Sequence, residues 1–230
     1  MTDSSQAGTL ERAGVLLLNH SAYTAATSIF VRIITITPKH TMAWYGLGNA
    51  LFRISRQSQD LSLLKISLSC LRRSIAEDAT NQMSAELCQL IETRTPLSAE
   101  ECLTCQPYVS DVGEIVTTVG YSNEVFVLAL QQIESWEERL QLVMWLGDQR
   151  DPDFADLLVY ASEHDSNSDV RMGAVKRLAS LGDLPQVRQC LERLVASVNW
   201  QGTEPYLSMT LRRIQQPWAN KLLAQVTTKK

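Results

Sequence analysis

The sequence predicts an all-α protein, and three observations carry that expectation. Apolar residues recur at steps of three and four along most of the chain. The 10 glycines and 7 prolines fall mostly at expected turns. Runs that alternate strictly between apolar and polar are scarce, and the single β-branched run, Ile33 to Thr37, is the tail of a stretch whose upstream spacing is helical. With 45% of its 230 residues hydrophobic, the chain has the apolar mass for a core and does not read as disordered.

The clearest element follows Pro38. Trp44, Leu47 and Leu51 recur on one helical face, and Gly48 removes a side chain where a neighbouring helix can approach. Moving back 34 residues carries Gly48 onto Gly14, Leu51 onto Leu17 and Trp44 onto Leu10. Between the two copies, Tyr23 to Ile36 reads as an amphipathic helix that supplies Ala26, Phe30 and Ile33 before Pro38 closes it. A later helix offers Ser67, Leu71 and Ser74 as small, large and small positions, about seven residues late, with Ala79 in place of the closing proline. Either a longer turn over Arg56 to Ser62 or an extended helix accounts for the delay. Met83 to Arg94 follows as a further first helix or a cap. Over residues 7–94 this pattern of an aromatic, Leu-Gly and a large residue, then small, aromatic and proline positions, resembles tetratricopeptide repeats.

The pattern changes between Pro96 and Pro107. Ser98 and Glu101 have capping-box spacing, so a short helix is expected from Ala99 to Thr104. Val112 to Val119 and Val125 to Ile133 read as two helices broken near Gly120. Leu146-Gly147-Asp148 then recurs as Leu181-Gly182-Asp183, 35 residues on. Leu140 and Val143 map onto Val175 and Leu178. Past the turn, with two residues removed, Pro152, Phe154 and Leu158 map onto Pro185, Val187 and Leu191. Each unit is thus expected to be a helix, a Leu-Gly-Asp stop, and a second helix opened near a proline. The passage containing Asp169, Val170, Arg171, Ala174, Leu178 and Gly182 resembles HEAT repeats, and the resemblance extends over about residues 135–198. In this register Trp136 stands at the arginine position of the earlier unit. Pro205 to Ile214 and Pro217 to Val226 are two further helices, the last with Trp218 and Leu222 as its packing face, and the final Thr-Thr-Lys-Lys is expected to fray.

The resemblances imply a right-handed α-α superhelix: residues 1–95 as tetratricopeptide-like repeats with a capping helix, residues 96–230 as HEAT-like pairs. Gly14, Ala26, Phe30, Trp44, Leu47, Gly48, Leu51, Leu146 and Leu181 are its expected packing residues. Such stacks present a concave inner face, and both families imply binding of another protein, as adaptor or assembly chaperone. An accessory or lyase-like subunit of an enzyme, or a nucleic-acid-binding repeat protein, is the alternative.

The net charge of −4 hides an asymmetry. Residues 97–168 hold two bases and fourteen acids, residues 169–230 ten bases and four acids. Among the latter, Arg171, Lys176, Arg177 and Arg188 are candidates to contact an acidic protein segment, against the plainer reading of a solvated face. The acidic middle and a pI near 5.4 disfavour a nucleic-acid backbone. Cys102 and Cys105 have the spacing of a metal knuckle or redox pair, but no second pair accompanies them, and a structural zinc site takes four ligands; buried thiols are the expected reading. His20, His40 and His164 fall at turns. Asp148, Asp151, Asp153 and Asp156 suit helix ends better than a cation loop, since the glycine and glutamate of a calcium loop are missing. Nucleophile elbows, phosphate loops and paired-histidine zinc motifs are absent, so neither catalysis nor a cofactor is expected. No apolar run reaches the roughly 20 residues of a membrane span. The N-terminus lacks the basic start of a secretory signal, and five scattered cysteines make no disulfide framework, so the cytoplasm is the expected location.

Overall fold

The computed structural model describes residues 3–197 and 204–228. Among these residues there are fourteen α-helices, two single turns of 3-10 helix and no strand. The fold is all-α, as the spacing predicts. The helices divide into two compact units, Met1–Ser122 and Asn123–Lys230.

The N-terminal unit begins with α1 (Asp3–Asn19), α2 (Tyr23–Ile36), α3 (Thr41–Ser58), α4 (Leu61–Glu77) and α5 (Gln82–Arg94). Each helix packs on the next, and α1 also meets α3 while α3 meets α5, so alternate helices share a layer. Short polar side chains set the starts: Asp60 accepts from the amides of Ser62 and Leu63, and Asn81 from that of Ser84. Of the two explanations for the late Ser67, Leu71 and Ser74, the extended helix holds. α3 runs on to Ser58, and Gln59 in the left-handed region turns the chain directly into α4. The small positions of α4 are used for contact: the Ser67 hydroxyl donates to the Gly48 carbonyl at 2.7 Å, and that of Ser74 to Thr41 at 2.9 Å.

The junction read at Pro96 to Pro107 lies inside this unit, because α6 (Ala99–Thr104) and α7 (Gly113–Val119) stay with it. Leu97, Cys102 and Cys105 enter the same apolar cluster as Phe52, Leu64, Leu68, Leu71, Cys88 and Ile91. Arg72 ties the segment down by donating to the carbonyls of Cys102 (2.7 Å) and Cys105 and to Glu92 (2.7 Å). The expected capping box of Ser98 and Glu101 is formed.

The C-terminal unit comprises α8 (Glu124–Gln132), α9 (Trp136–Asp148), α10 (Ala155–His164), α11 (Ser168–Leu178), α12 (Pro185–Ala196), α13 (Glu204–Ile214) and α14 (Pro217–Thr228). Helices α9, α11 and α13 form one layer, and α8, α10, α12 and α14 the other. Within each pair a residue with positive φ reverses the chain: Arg150 (58°), Gly182 (72°) and Gln215 (54°). Pro152, Pro185 and Pro217 follow each within two or three residues, where a missing amide costs nothing.

The register of the first helices differs from the one the Leu-Gly-Asp triplets suggest. Gly182 is a true stop, but Leu146, Gly147 and Asp148 all lie within α9. The N-caps Ser135 and Asn167 are 32 residues apart, and so are Arg139 and Arg171. These two arginines do the same work. Arg139 Nη1 donates to the carbonyls of Ile133 (2.9 Å) and Glu134 (2.8 Å), and Arg171 Nη1 to those of Asp165 (2.7 Å) and Ser166 (3.1 Å). The arginine position of the earlier unit is therefore filled by Arg139, not Trp136. The second-helix register stands, with Phe154, Leu158, Val187 and Leu191 all buried. At the end of the chain, Thr227 and Thr228 belong to α14, while Lys229 and Lys230 lie outside the described residues.

Candidate partner-binding surfaces

On α3, the face carrying Trp44, Leu47 and Leu51 is buried, and Tyr45, Asn49 and Arg53 follow at four-residue steps on another. On α5, Ser84, Cys88 and Ile91 point into the core and leave Met83, Leu87 and Leu90 as a second apolar stripe. The two stripes, with Glu86, line one cleft of about 320 Å³. Met83 is 46% and Leu90 37% exposed, side by side on the rim of this cleft. The polar groups of the cleft are graded: Asn49 Nδ2 donates to the Tyr45 hydroxyl at 3.4 Å, Glu86 accepts from Gln82 at 2.7 Å, and Arg53 is exposed with no partner among the described residues. The spacing of Met83, Leu87 and Leu90 is visible in the sequence. Which of two stripes on α5 faces inward is not.

The expected packing residues lie in the interior of the two units. Ala26, Phe30, Trp44, Leu47, Leu51, Leu146 and Leu181 are buried. A β-carbon at Gly14 would stand 2.8 Å from the Phe30 ring, and one at Gly48 2.7 Å from Leu71, so both glycines are close-approach positions.

The four candidate cations of the C-terminal unit all have intramolecular partners. Arg171 holds the carbonyls already described. Lys176 Nζ lies 4.2 Å from the centroid of the Tyr206 ring. Arg177 stands across from Asp148, Nε to Oδ1 at 2.9 Å, and donates from Nη2 to Oδ2 at 3.2 Å. Arg188 donates to Glu192 at 2.9 Å and lies 5.7 Å from the Trp218 ring, yet half its side chain is in solvent. Their partners sit on other helices or a turn away, so the sequence shows the charges and hides the pairing.

The remaining candidates take structural places. Asp148 pairs with Arg177, Asp151 caps the 3-10 turn at Pro152, and Asp156 accepts from Asn123. His40 caps α3, and the His164 ring lies tilted against that of Tyr160, centroids 5.0 Å apart, beside a cleft of about 250 Å³ that the Arg139–Asp165 pair also lines. Cys70, Cys88, Cys102, Cys105 and Cys190 are buried free thiols. Burial pushes Cys88 up to about 11 and Cys190 up to about 12, and raises Cys70, Cys102 and Cys105 as well. Among the described residues no group of three His, Cys, Asp or Glu side chains is placed to hold a metal ion, and no helix is long and apolar enough to cross a membrane.

Two layers of helices with a recurrent arginine and a recurrent reversal are the geometry of a helical repeat. A family model described as HEAT repeats matches residues 123–202. The match takes in α8 as well as the pairs from α9 to α12, consistent with α8 occupying the layer of second helices. No curated protein and no solved structure matches the chain.

Proposed function

We propose that the chain is a helical-repeat scaffold that binds another protein, as an adaptor or assembly chaperone of the cytoplasm. HEAT repeats commonly mediate protein interactions, and residues 123–202 match their model. The N-terminal unit works as a tetratricopeptide-like module, its alternate helices forming the layer on which a ligand lies. The observation that carries the reading is the cleft between α3 and α5. Exposed Met83 and Leu90 offer apolar area, while Asn49, the Tyr45 hydroxyl and Arg53, which has no partner among the described residues, orient a polar backbone or an acid, the composition of a peptide-binding site. An apolar helical segment of the partner fits there. The basic residues of the C-terminal unit take an acidic segment, led by the half-exposed Arg188, which shares its donors between Glu192 and an external carboxylate.

The test is affinity capture with the full chain, with and without nuclease, in parallel with Met83→Glu and Leu90→Glu. Both positions are exposed, so both variants should fold. A protein retained after nuclease and lost with either variant supports the reading. Capture that vanishes with nuclease, or that ignores both substitutions, overturns it.

A further inference from the structure

Stacked helical pairs cover one flank of each first helix with the next. On α9 that flank is Leu140, Met144, Gly147 and Asp148. Leu140 and Met144 face Gly173 of α11, the Ser180 hydroxyl donates to the Gly147 carbonyl at 3.1 Å, and Asp148 meets Arg177. The register of 32 carries Met144 onto Lys176 of α11, which α13 covers: Tyr206 lies under the Lys176 ammonium, and the Thr210 hydroxyl donates to the Val175 carbonyl at 3.0 Å. Aligning the turn residues Gly182 and Gln215 carries the flank on by 33, onto Met209, Arg212 and Arg213 of α13. Here none of the described residues covers it. Met209 is 53% exposed, and Arg212 and Arg213 are exposed and have no partner among the described residues. Leu207, Thr210, Leu211 and Ile214 occupy the inward face instead.

We infer that the flank of α13 formed by Met209, Arg212 and Arg213 docks an acidic amphipathic α-helix of a partner protein. The inference rests on the reading of the chain as a protein-binding scaffold and names a second contact for it. The occupant is a helix because this flank takes a helix in both earlier pairs. It is acidic because the charge at the decisive place is reversed. Where α9 carries Asp148 to receive Arg177, α13 carries Arg213, so the incoming helix needs a carboxylate where α11 has Arg177. It takes a small or apolar residue one turn earlier, beside Met209, where Gly173 packs on Leu140 with Met144 alongside. The docking helix therefore presents a small or apolar residue at i and Asp or Glu at i+4, which share one face.

The probe is a synthetic peptide of residues 168–181 carrying Arg171→Glu, Lys176→Glu and Arg177→Glu, titrated against the full chain by fluorescence anisotropy at low and high salt. Binding at low salt is expected. The double substitution Arg212→Glu/Arg213→Glu should weaken it at least tenfold and transfer preference to the same peptide with its native bases. Arg212→Gln/Arg213→Gln, which breaks no contact among the described residues, should weaken the acidic peptide while holding the melting temperature within about 2 °C. Failure of the acidic peptide to bind, or equal binding to wild type and both variants, overturns the inference. So does sedimentation showing self-association that the same substitutions abolish, since the flank would then belong to a second copy of this chain. None of these outcomes touches the capture experiment at Met83 and Leu90, so the two readings fail separately.

Discussion

The ring of Phe30 rests on Gly46. A β-carbon built at Gly46 would stand 2.4 Å from two ring carbons and 2.7 Å from a third, and the same ring closes on Gly14 at 2.8 Å. One aromatic of α2 thus fills space that two glycines leave open on α1 and α3. Phe30 is fully buried there, so it has little room to yield.

Alanine at Gly46, Gly14 or Gly48 raises helix propensity by about 1 kcal/mol, but overpacking costs about 1–3 kcal/mol. The tighter contact decides the order. Gly46→Ala should destabilise most, and Gly14→Ala and Gly48→Ala less. Urea melts of the three variants measure this. A more stable Gly46→Ala would mean that the ring moves freely and that α2 and α3 are not held at this spacing.

Trp44 is 4% exposed, its indole N–H donates to the Pro38 carbonyl at 2.8 Å, and its ring lies 6.0 Å from that of Tyr108. It therefore packs against the turn before its own helix and against the segment after α6. Trp44→Ala should cost about 3–5 kcal/mol. Trp44→Phe keeps most of the area and gives up the hydrogen bond, so about 1 kcal/mol plus a packing defect is expected. Unfolding free energies that put the alanine variant within 1 kcal/mol of wild type would place the indole at the surface.

Much of this was legible in the sequence because its causes are local. The capping box of Ser98 and Glu101, the span Tyr23–Ile36 and the reversals before Pro152, Pro185 and Pro217 follow from side chains a few residues apart. The Leu-Gly-Asp triplets misled because their two glycines serve different purposes. Gly147 is small so that the stem of Arg177 can cross α9, where a β-carbon would meet it at 2.5 Å, whereas Gly182 supplies a positive φ. Periodic function, carried by Arg139 and Arg171, is a better ruler than periodic spelling. The cleft at α5 and the cation partners depend on which helix comes to lie alongside, and only tertiary packing decides that.

Arg139 and Asp165 form a two-pronged pair, Nε to Oδ2 at 2.8 Å and Nη2 to Oδ1 at 3.0 Å, with side chains only 13% and 3% exposed. Removing one member of a buried pair costs about 3–5 kcal/mol, because it strands the other. Arg139→Ala should fall in that range and Arg171→Ala below it, since Arg171 has only carbonyls to lose. Arg139→Lys should recover part of the loss, as an ammonium cannot make both bonds. Equal melting temperatures for the two alanine variants would refute the ranking.

The folded thiols should be poorly reactive at neutral pH and all five should appear on unfolding. A thiolate is the attacking species, and burial holds Cys88 near 11 and Cys190 near 12, above the ordinary value of about 8.5. A raised acid group favours the folded state below its unfolded value, so stability should decline as pH rises above about 8.5 and continue to fall towards 11–12. Timed labelling with a chromogenic disulfide, with and without guanidinium, is the measurement. Rapid stoichiometric labelling of the native chain would contradict the burial.

Reversal of Lys176 and Arg177 to glutamate would be silent for folding if both were solvated, but neither is. Arg177→Glu sets a carboxylate against Asp148 and withdraws the aliphatic stem that crosses Gly147. Lys176→Glu exchanges a cation over the Tyr206 ring for an anion, which the ring face repels. About 1–3 kcal/mol for the first and up to about 1 kcal/mol for the second are expected, with the larger loss at Arg177. Because the two residues are neighbours on α11, their effects need a double-mutant cycle rather than addition. A double reversal that melts like wild type would show both side chains free, and Lys176 and Arg177 would then rank beside Arg212 and Arg213 as open basic surface. A lowered melting temperature with unchanged association to an acidic partner would confine both cations to packing and leave the contact to α13.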